Sequence, residues 1–462
     1  MVNLTEGSSF ILDAMVTNSR PSGSLLYYEI TDGIITYNFF YDKFLNKGDI
    51  IKLDSTIKNP LSFSLSVNAI SSYKDNLALE KRKEIEEKMM DSLVLPKTNL
   101  FVQDPTTTKI LPLFEQIARY LHLVKRSNKF VLLKYHNDAD GICAALSITS
   151  FLKCRSEQQK SAVYSEKDAV RDLETITNET NPVVVFVDFG ASIESQNGLK
   201  LLKAGGATII IIDHHPPSKE ISNHSYIFVS PWAVSDESES SRYPAGYLCA
   251  EIAKYFTNDD SEIAKLNDYA KIACAGDKSK ILEITEQDRR KALALDYIAL
   301  YGGYPNLSFY KKILSSPDIL SSILEQAEEK LNAILSNAKR RMIQKDLPNV
   351  TVYLLELEGL TKQYEFPSKG KAATTIFEAL VKENPTKPII VIGYGKQTVV
   401  IRINDLAAEA GYSGKEIAET TKTTMKDFVE SAGGHQKAAA VRVKKEFAKS
   451  VAEELVKIIE GK

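Results

Sequence analysis

The sequence predicts an α/β protein: a doubly wound parallel sheet, a small β-barrel before it and a smaller α/β domain after it. Three observations predict this. Short strand signals with no helix between them occupy the first 75 residues or so. From residue 127 to about 300, strand and helix alternate. A long helical stretch then leads into a second set of mixed strands and helices. Alternation of this kind indicates a parallel sheet covered by helices, whereas unbroken short strands indicate a barrel or sandwich.

The predicted divisions are an N-terminal barrel at 1–75, a helical linker at 76–126, the sheet domain at 127–312, a connector helix at 313–346 and the C-terminal domain at 347–462. A chain of 462 residues exceeds one ordinary core, so several domains are expected. In the barrel region the strand candidates are Phe10–Val16, Leu25–Ile30, Ile34–Phe40 and Asp49–Leu53, with turns at Arg20–Gly23, Asp32-Gly33 and Lys47-Gly48-Asp49. Their order resembles an OB-fold. Tyr27, Tyr28, Tyr37, Phe39, Phe40 and Tyr41 either offer stacking faces for bases or fill the barrel core. The charged stretch from Tyr73 reads as a solvated amphipathic helix, and a Pro-Thr break at 105–108 precedes a second one. Strands of the sheet domain are expected at Phe130–Tyr135, Val183–Val187 and Ala207–Ile212. Those of the last domain are expected at Thr351–Leu355, Ile389–Tyr394, Thr398–Ile403 and Ala438–Val443.

Charge is balanced, 58 basic against 60 acidic residues, so there is no global basic field. Nucleic acid would need a local patch, or cations held by the protein. Cys143, Cys154, Cys249 and Cys274 form no CxxC pair, which argues against a zinc ribbon or a disulfide framework and for buried free thiols. No basic segment followed by an apolar core opens the chain, and no apolar run is long enough to span a bilayer. A soluble cytoplasmic protein with no membrane partner is expected.

The chemistry concentrates in polar segments beside strands. There are six histidines, and His136, His214, His215 and His435 all lie in such segments. His136, Asp138 and Asp140 alternate after the first sheet strand, so an extended backbone would point them the same way. Asp188 ends the second strand, and Asp213-His214-His215 follows the third. Asp277 ends an apolar stretch. A lone acid at a strand end is ordinarily a turn or cap residue. Gathered in one crevice, however, such acids would repel by about 4 kcal/mol per close pair at an effective dielectric of about 20. Cations between them resolve the conflict. A mixed carboxylate and imidazole set favours a metal such as Mn²⁺ over Ca²⁺ or a closed Zn²⁺ site. Two such ions would activate water and clamp a phosphate without a protein nucleophile. There is no GxSxG elbow, Walker A loop or GxGxxG fingerprint to suggest another chemistry.

These residues resemble the DHH phosphoesterase family, named for the triplet that stands here as Asp213-His214-His215. His136 to Gly141 resembles its first motif, Asp188 its second and Asp277 its fourth. Ser431 to Ala439 resembles the Gly-Gly-His motif of the family's C-terminal substrate domain. The resemblance implies the following roles. His136 and Asp138 hold one metal, Asp188 bridges, and Asp140, His214 and Asp277 complete the second. Asp213 orients His214, and His215 lies near the attacked phosphate as an orienter or acid. Gly433, Gly434, His435 and Arg402 bind substrate. Two Mn²⁺ are the implied cofactors, with Mg²⁺ as the other choice. The barrel and the length look like archaeal RecJ-like proteins, which implies an exonuclease on single-stranded DNA or RNA in replication or repair. It also implies GINS as a partner and a place at the nucleoid or replisome. The alternatives are a small-nucleotide or oligoribonucleotide phosphodiesterase and a replisome scaffold. His136 stands where bacterial RecJ has Asp, which leaves the ligand count intact. Lys362, Lys369, Lys371, Lys396, Lys415, Lys422, Lys426 and Lys437 either solubilise the C-terminal half or line a cleft.

Overall fold

The computed structural model describes residues 5–235, 240–301, 306–361, 365–434 and 436–461. The chain divides into two compact units, Met1–Ala292 with Asn306–Lys311, and Leu293–Pro305 with Lys312–Lys462.

The first unit opens with a closed barrel in the order β1-β2-β3-β5-β4. Its strands are β1 (Ser9–Ser22), β2 (Leu25–Thr31), β3 (Thr36–Tyr41), β4 (Ile50–Asn59) and β5 (Ser64–Ser72). Alternate residues point inward, and Tyr28, Ile30, Tyr37, Phe39, Ile51 and Leu53 are buried together. Strand β5 is not among the strands expected from sequence. It is rich in serine, and its register against β4 shifts twice, which breaks the alternation that marks a strand in sequence. The helix Pro105–Arg126 starts at the Pro-Thr segment rather than after it. Asp104 caps it by accepting from the Thr107 amide at 2.8 Å, and proline suits the first helical position, where its missing N–H is not needed.

A five-stranded parallel sheet follows, in the order β10-β9-β8-β6-β7. Its strands are β6 (Val131–His136), β7 (Arg155–Gln159), β8 (Val183–Val187), β9 (Thr208–Ile212) and β10 (Ile227–Val229). Every residue of β8 is buried, as expected for a strand covered on both faces. The order reverses between β6 and β8, and in open sheets of this type the crevice beyond the carboxyl ends at that reversal is where ligands bind. Two glycines allow helices to close on this end. A Cβ at Gly141 would stand 2.4 Å from the His136 carbonyl oxygen. One at Gly246 would stand 2.5 Å from Ala273 Cβ and 2.9 Å from Asp140 Oδ1.

The second unit contains a six-stranded sheet, order β11-β12-β13-β14-β16-β15. Its strands are β11 (Ile343–Asp346), β12 (Thr351–Glu356), β13 (Ile389–Tyr394), β14 (Thr398–Ile403), β15 (Val429–Gly434) and β16 (Ala438–Val443). Four match the sequence expectation. The other two, β11 and β15, are edge strands with mostly exposed, polar or small residues. Among the described residues no helix is long and apolar enough to cross a membrane. Cys143, Cys249 and Cys274 are buried, Cys154 is half-buried, and no disulfide joins any of them.

Candidate metal centre

The carboxyl ends of β6, β8 and β9, together with Asp277, bring seven of the sequence-selected side chains into three overlapping groups. These are His136 with Asp138 and Asp188, Asp140 with His214 and Asp277, and Asp188 with His214 and His215. Within each group the ligand atoms lie within 4.8 Å of one another.

Each side chain is placed by a local device. His136 is the last residue of β6, and its Nδ1 lies 2.6 Å from Asp138 Oδ2 and 3.4 Å from Asp188 Oδ2. Asp138 caps the helix Ala139–Ile148, where its Oδ1 accepts from the Gly141 amide at 3.0 Å. Asp140 sits in the first turn of that helix and is fully enclosed. Its carboxylate accepts from the amides of Ala245 at 2.9 Å and Gly246 at 2.6 Å, at the start of the helix Ala245–Ala253. A helix N-terminus favours negative charge there.

Asp188 adopts φ +66°, a left-handed conformation that aspartate and asparagine tolerate better than most residues. This turns its carboxylate into the crevice, between His136 and His214, whose Nε2 is 3.4 Å away. His214 Nε2 also faces Asp140 at 3.6 Å and Asp277 at 3.2 Å. Asp277, expected at the end of an apolar stretch, is the C-cap of the helix Asp260–Gly276.

One implied role changes. Asp213 does not hold His214; its Oδ1 accepts from the His215 amide at 3.1 Å and lies 2.8 Å from His215 Nδ1, while Oδ2 accepts from the Ala191 amide. His214 is held instead through its Nδ1, 3.2 Å from the Ser241 carbonyl oxygen, and by Trp232 Nε1 donating to the His214 carbonyl at 2.8 Å. The ring two positions along the chain folds back onto the Asp213 carboxylate, whereas His214 turns its Nε2 toward Asp140, Asp188 and Asp277. Sequence reasoning missed Ser241, Trp232, Ala245 and Gly246 because the holding contacts run through backbone atoms. The proline before Ala245 was the one local signal of a helix start.

The electrostatics follow from burial. Although burial disfavours their charge, Asp138 and Asp188 hold the His136 imidazole well above its ordinary value, and the Asp188, Asp277 and Asp140 carboxylates do the same for His214. Burial, reinforced by Asp188 and Asp277, pushes the Asp140 carboxyl well up. Against burial, His136 and His214 draw Asp188 well down. Asp277 is pushed up to about 6, by burial and by Asp188 and Asp138 against the pull of His214.

The donor set fits divalent cations on an independent observation. Asp188 Oδ2 and His214 Nε2 are buried side-chain atoms with no hydrogen-bond partner. Buried polar atoms are almost always hydrogen-bonded, and these two have only the longer ion-pair contacts given above, which fits a site built for a cation. A cation would use both.

In the second unit, Arg402 lies on β14, half-buried, with Nε donating to Thr374 Oγ1 at 3.1 Å and Nη1 to the Ile401 carbonyl. Gly433 and Gly434 lie on the edge strand β15. Gly434 has φ +135°, and a Cβ there would stand 2.5 Å from the Ala438 carbonyl oxygen. His435 and Lys362 lie outside the described residues. Lys369, Lys371 and Lys437 pair with Glu358, Asp296 and Asp405 respectively, so these three are engaged by acids within the fold.

Residues 129–276 match the DHH family, N-terminal domain. The uncharacterized protein MJ1198 of Methanocaldococcus jannaschii is 23% identical over 436 residues, which covers 79% of this chain and 56% of that protein. The chain thus spans little more than half of that relative. A solved DHH-domain structure, described as a member of a family of ribosomal proteins, superposes with a TM-score of 0.75 at 21% identity, over 83% of this chain and 98% of the other. RecJ in complex with Mn²⁺ from Thermus thermophilus superposes with a TM-score of 0.53 at 14% identity, over 83% of this chain and 58% of that one.

Proposed function

We propose, from the match of residues 129–276 to the DHH family and the likeness of the fold to RecJ, a metal-dependent phosphodiesterase that acts as an exonuclease on single-stranded DNA or RNA. The observation that carries this reading is the pair of buried ligand atoms without a hydrogen bond, Asp188 Oδ2 and His214 Nε2, in a crevice lined by four carboxylates and three imidazoles.

His136, Asp138 and Asp188 would hold one divalent cation, and Asp140, His214 and Asp277 with Asp188 would hold a second. Bound there, the cations supply Lewis acidity toward water and toward a phosphate oxygen. Mn²⁺ suits the mixed ligands, and Mg²⁺ is the harder alternative. The protein's own groups do the rest. Asp140 is locked by two amides, so its position costs no rearrangement when a ligand arrives. His215 is 48% exposed at the mouth, with Nδ1 on Asp213. Against burial, that contact lifts the imidazole above its ordinary value. The ring is therefore oriented through Nδ1, which leaves Nε2 to deliver a proton to a leaving oxygen.

Arg402 keeps guanidinium hydrogens beyond those given to Thr374 and Ile401, and its charge is disfavoured by burial alone. It is a proposed phosphate contact. The backbone at Gly433 has open space around it and is proposed, with Gly434 and His435, to approach a phosphate closely. GINS association rests on the sequence resemblance, and co-purification with GINS tests it.

The experiment is hydrolysis of end-labelled single strands of DNA and of RNA with Mn²⁺, comparing the chain with Asp188→Ala. Metal-dependent loss of terminal nucleotides that vanishes in the variant supports the reading. Full activity in Asp188→Ala would overturn it.

A further inference from the structure

The barrel aromatics divide cleanly by strand register. Tyr28, Tyr37 and Phe39 point inward and are at most 4% exposed. Tyr27 and Phe40 point outward, directly opposite each other on β2 and β3, and Arg20 of β1 stands opposite Tyr27. Three adjacent strands therefore display one transverse row, Arg20–Tyr27–Phe40. The Arg20 guanidinium carbon lies 4.5 Å from the Tyr27 ring centre, and the Tyr27 and Phe40 rings meet edge-on at 5.4 Å.

The next outward row is Asn18–Glu29–Asn38. Asn18 donates to Glu29 Oε2 at 3.2 Å, and the Tyr27 hydroxyl donates to Glu29 Oε1 at 3.4 Å. Asn38 is anchored by donating to the Ser62 carbonyl at 2.7 Å. Every member of this row is held in place, and the amide oxygens remain for a ligand. Two residues along a strand is about 7 Å, so a flat row and a hydrogen-bonding row run side by side at that spacing.

A single exposed phenylalanine is ordinary on a protein surface. A cation capping one ring, a second ring left 49% open, and a pinned polar row alongside are not explained by chance exposure. An apolar protein partner would have little use for the pinned carboxylate and amides. Nucleobases have a π-face for Phe40 and for the outer face of the guanidinium, and polar edges for the amide row. Glu29 would repel phosphates, so a strand would run its backbone along the Arg20 side. We infer that the outer face of β1–β2–β3 is a base-stacking platform for single-stranded nucleic acid, with Phe40 and Arg20 as its contact points. This rests on the reading of the chain as a nuclease acting on such strands, and it assigns the barrel a share in holding them.

The test uses the full chain carrying Asp188→Asn, so that the probe survives, and a labelled single strand of about 16 nucleotides, the upper end of the sites that one such barrel covers. Fluorescence anisotropy is measured with Phe40→Ala, Phe40→Leu and Arg20→Gln added. The leucine variant keeps an apolar side chain and removes only the ring. Both Phe40 variants should weaken binding by about tenfold. Arg20→Gln should also lower the slope of log affinity against log salt by about one. With Asp188 intact, Phe40→Leu should leave Mn²⁺-dependent hydrolysis of bis-p-nitrophenyl phosphate unchanged.

Unchanged strand affinity in the Phe40 variants, or no strand binding by the parent, overturns the platform while leaving hydrolysis as the separate measure of the nuclease reading. No hydrolysis of either substrate sinks the nuclease reading, whatever the anisotropy shows. A fall in solution mass with Phe40→Leu, at constant strand affinity, overturns the platform in favour of a contact between copies of the chain.

Discussion

Strand β6 carries two buried charged clusters only two residues apart, and they differ in kind. Lys134 is 1% exposed, and its ammonium lies 2.9 Å from Asp172 and 3.0 Å from Glu157. Tyr164 donates to the other Asp172 oxygen at 2.9 Å. The cluster around His136 and Asp188 gathers carboxylates and imidazoles but leaves Asp188 Oδ2 and His214 Nε2 without a hydrogen bond. The first cluster closes on itself. The second leaves two buried atoms for a ligand from outside. Burial of charge alone therefore says little about function, and the unsatisfied atoms separate the two cases.

The largest expected effect tests the open cluster. Asp188→Asn keeps a residue that accepts the left-handed backbone but removes the charge, and hydrolysis should fall to background while the melting temperature holds or rises. Activity retained at more than a small fraction would break the comparison. Next comes the closed cluster. Lys134→Met strands Asp172 in the core and should cost about 3–5 kcal/mol in denaturant unfolding. Turnover per folded molecule should stay near that of the parent. Lys134→Met with Asp172→Leu should recover much of the loss.

The third effect is ligand stabilisation. Mn²⁺ at a hundredfold excess over its dissociation constant should stabilise by about 2.7 kcal/mol, and Asp188→Asn should lose most of this. It should also depend on pH. His136 and His214 sit above their ordinary values without metal, so they hold their protons more tightly and must release them for an ion to bind. Their own contribution to metal-free stability is present at low pH and lost as pH rises through those raised values. Metal stabilisation measured by thermal shift should therefore grow as pH rises, and a flat profile would count against both imidazoles as ligands. The smallest effect concerns Asp213→Asn, which loosens His215 without touching a proposed ligand. About a ten- to hundredfold drop in turnover is expected, with Mn²⁺ affinity little changed.

Much of this was readable from residues. Strands β6, β8 and β9 announce themselves as apolar runs because both faces are covered. The acids and histidines that follow them are conspicuous because polar residues there have no packing reason to exist. Strand β7 was not readable. Its sequence is Arg-Ser-Glu-Gln-Gln, and the buried Gln158 accepts from Tyr310, on a helix distant in sequence, at 2.7 Å. Lys134 was invisible for the same reason: a lysine inside an apolar strand makes sense only once Asp172 is known to face it. The partnership of Asp213 was misassigned because adjacency in sequence does not say which of two neighbouring rings turns back. Asp140 stands out in its polar segment, but the two amides that pin it come from more than a hundred positions away. Side-chain identity travels in the sequence; backbone donors do not.

The left-handed turn at Asp188 restricts which residues can replace it over evolutionary time. Most β-branched or bulky substitutions would be purged for strain before their effect on turnover mattered. A lineage that no longer needed the chemistry would keep the bend and relax only the charge. Position 188 would then drift toward asparagine or glycine. In any collection of descendants, the residue found there would record whether the crevice is still in use.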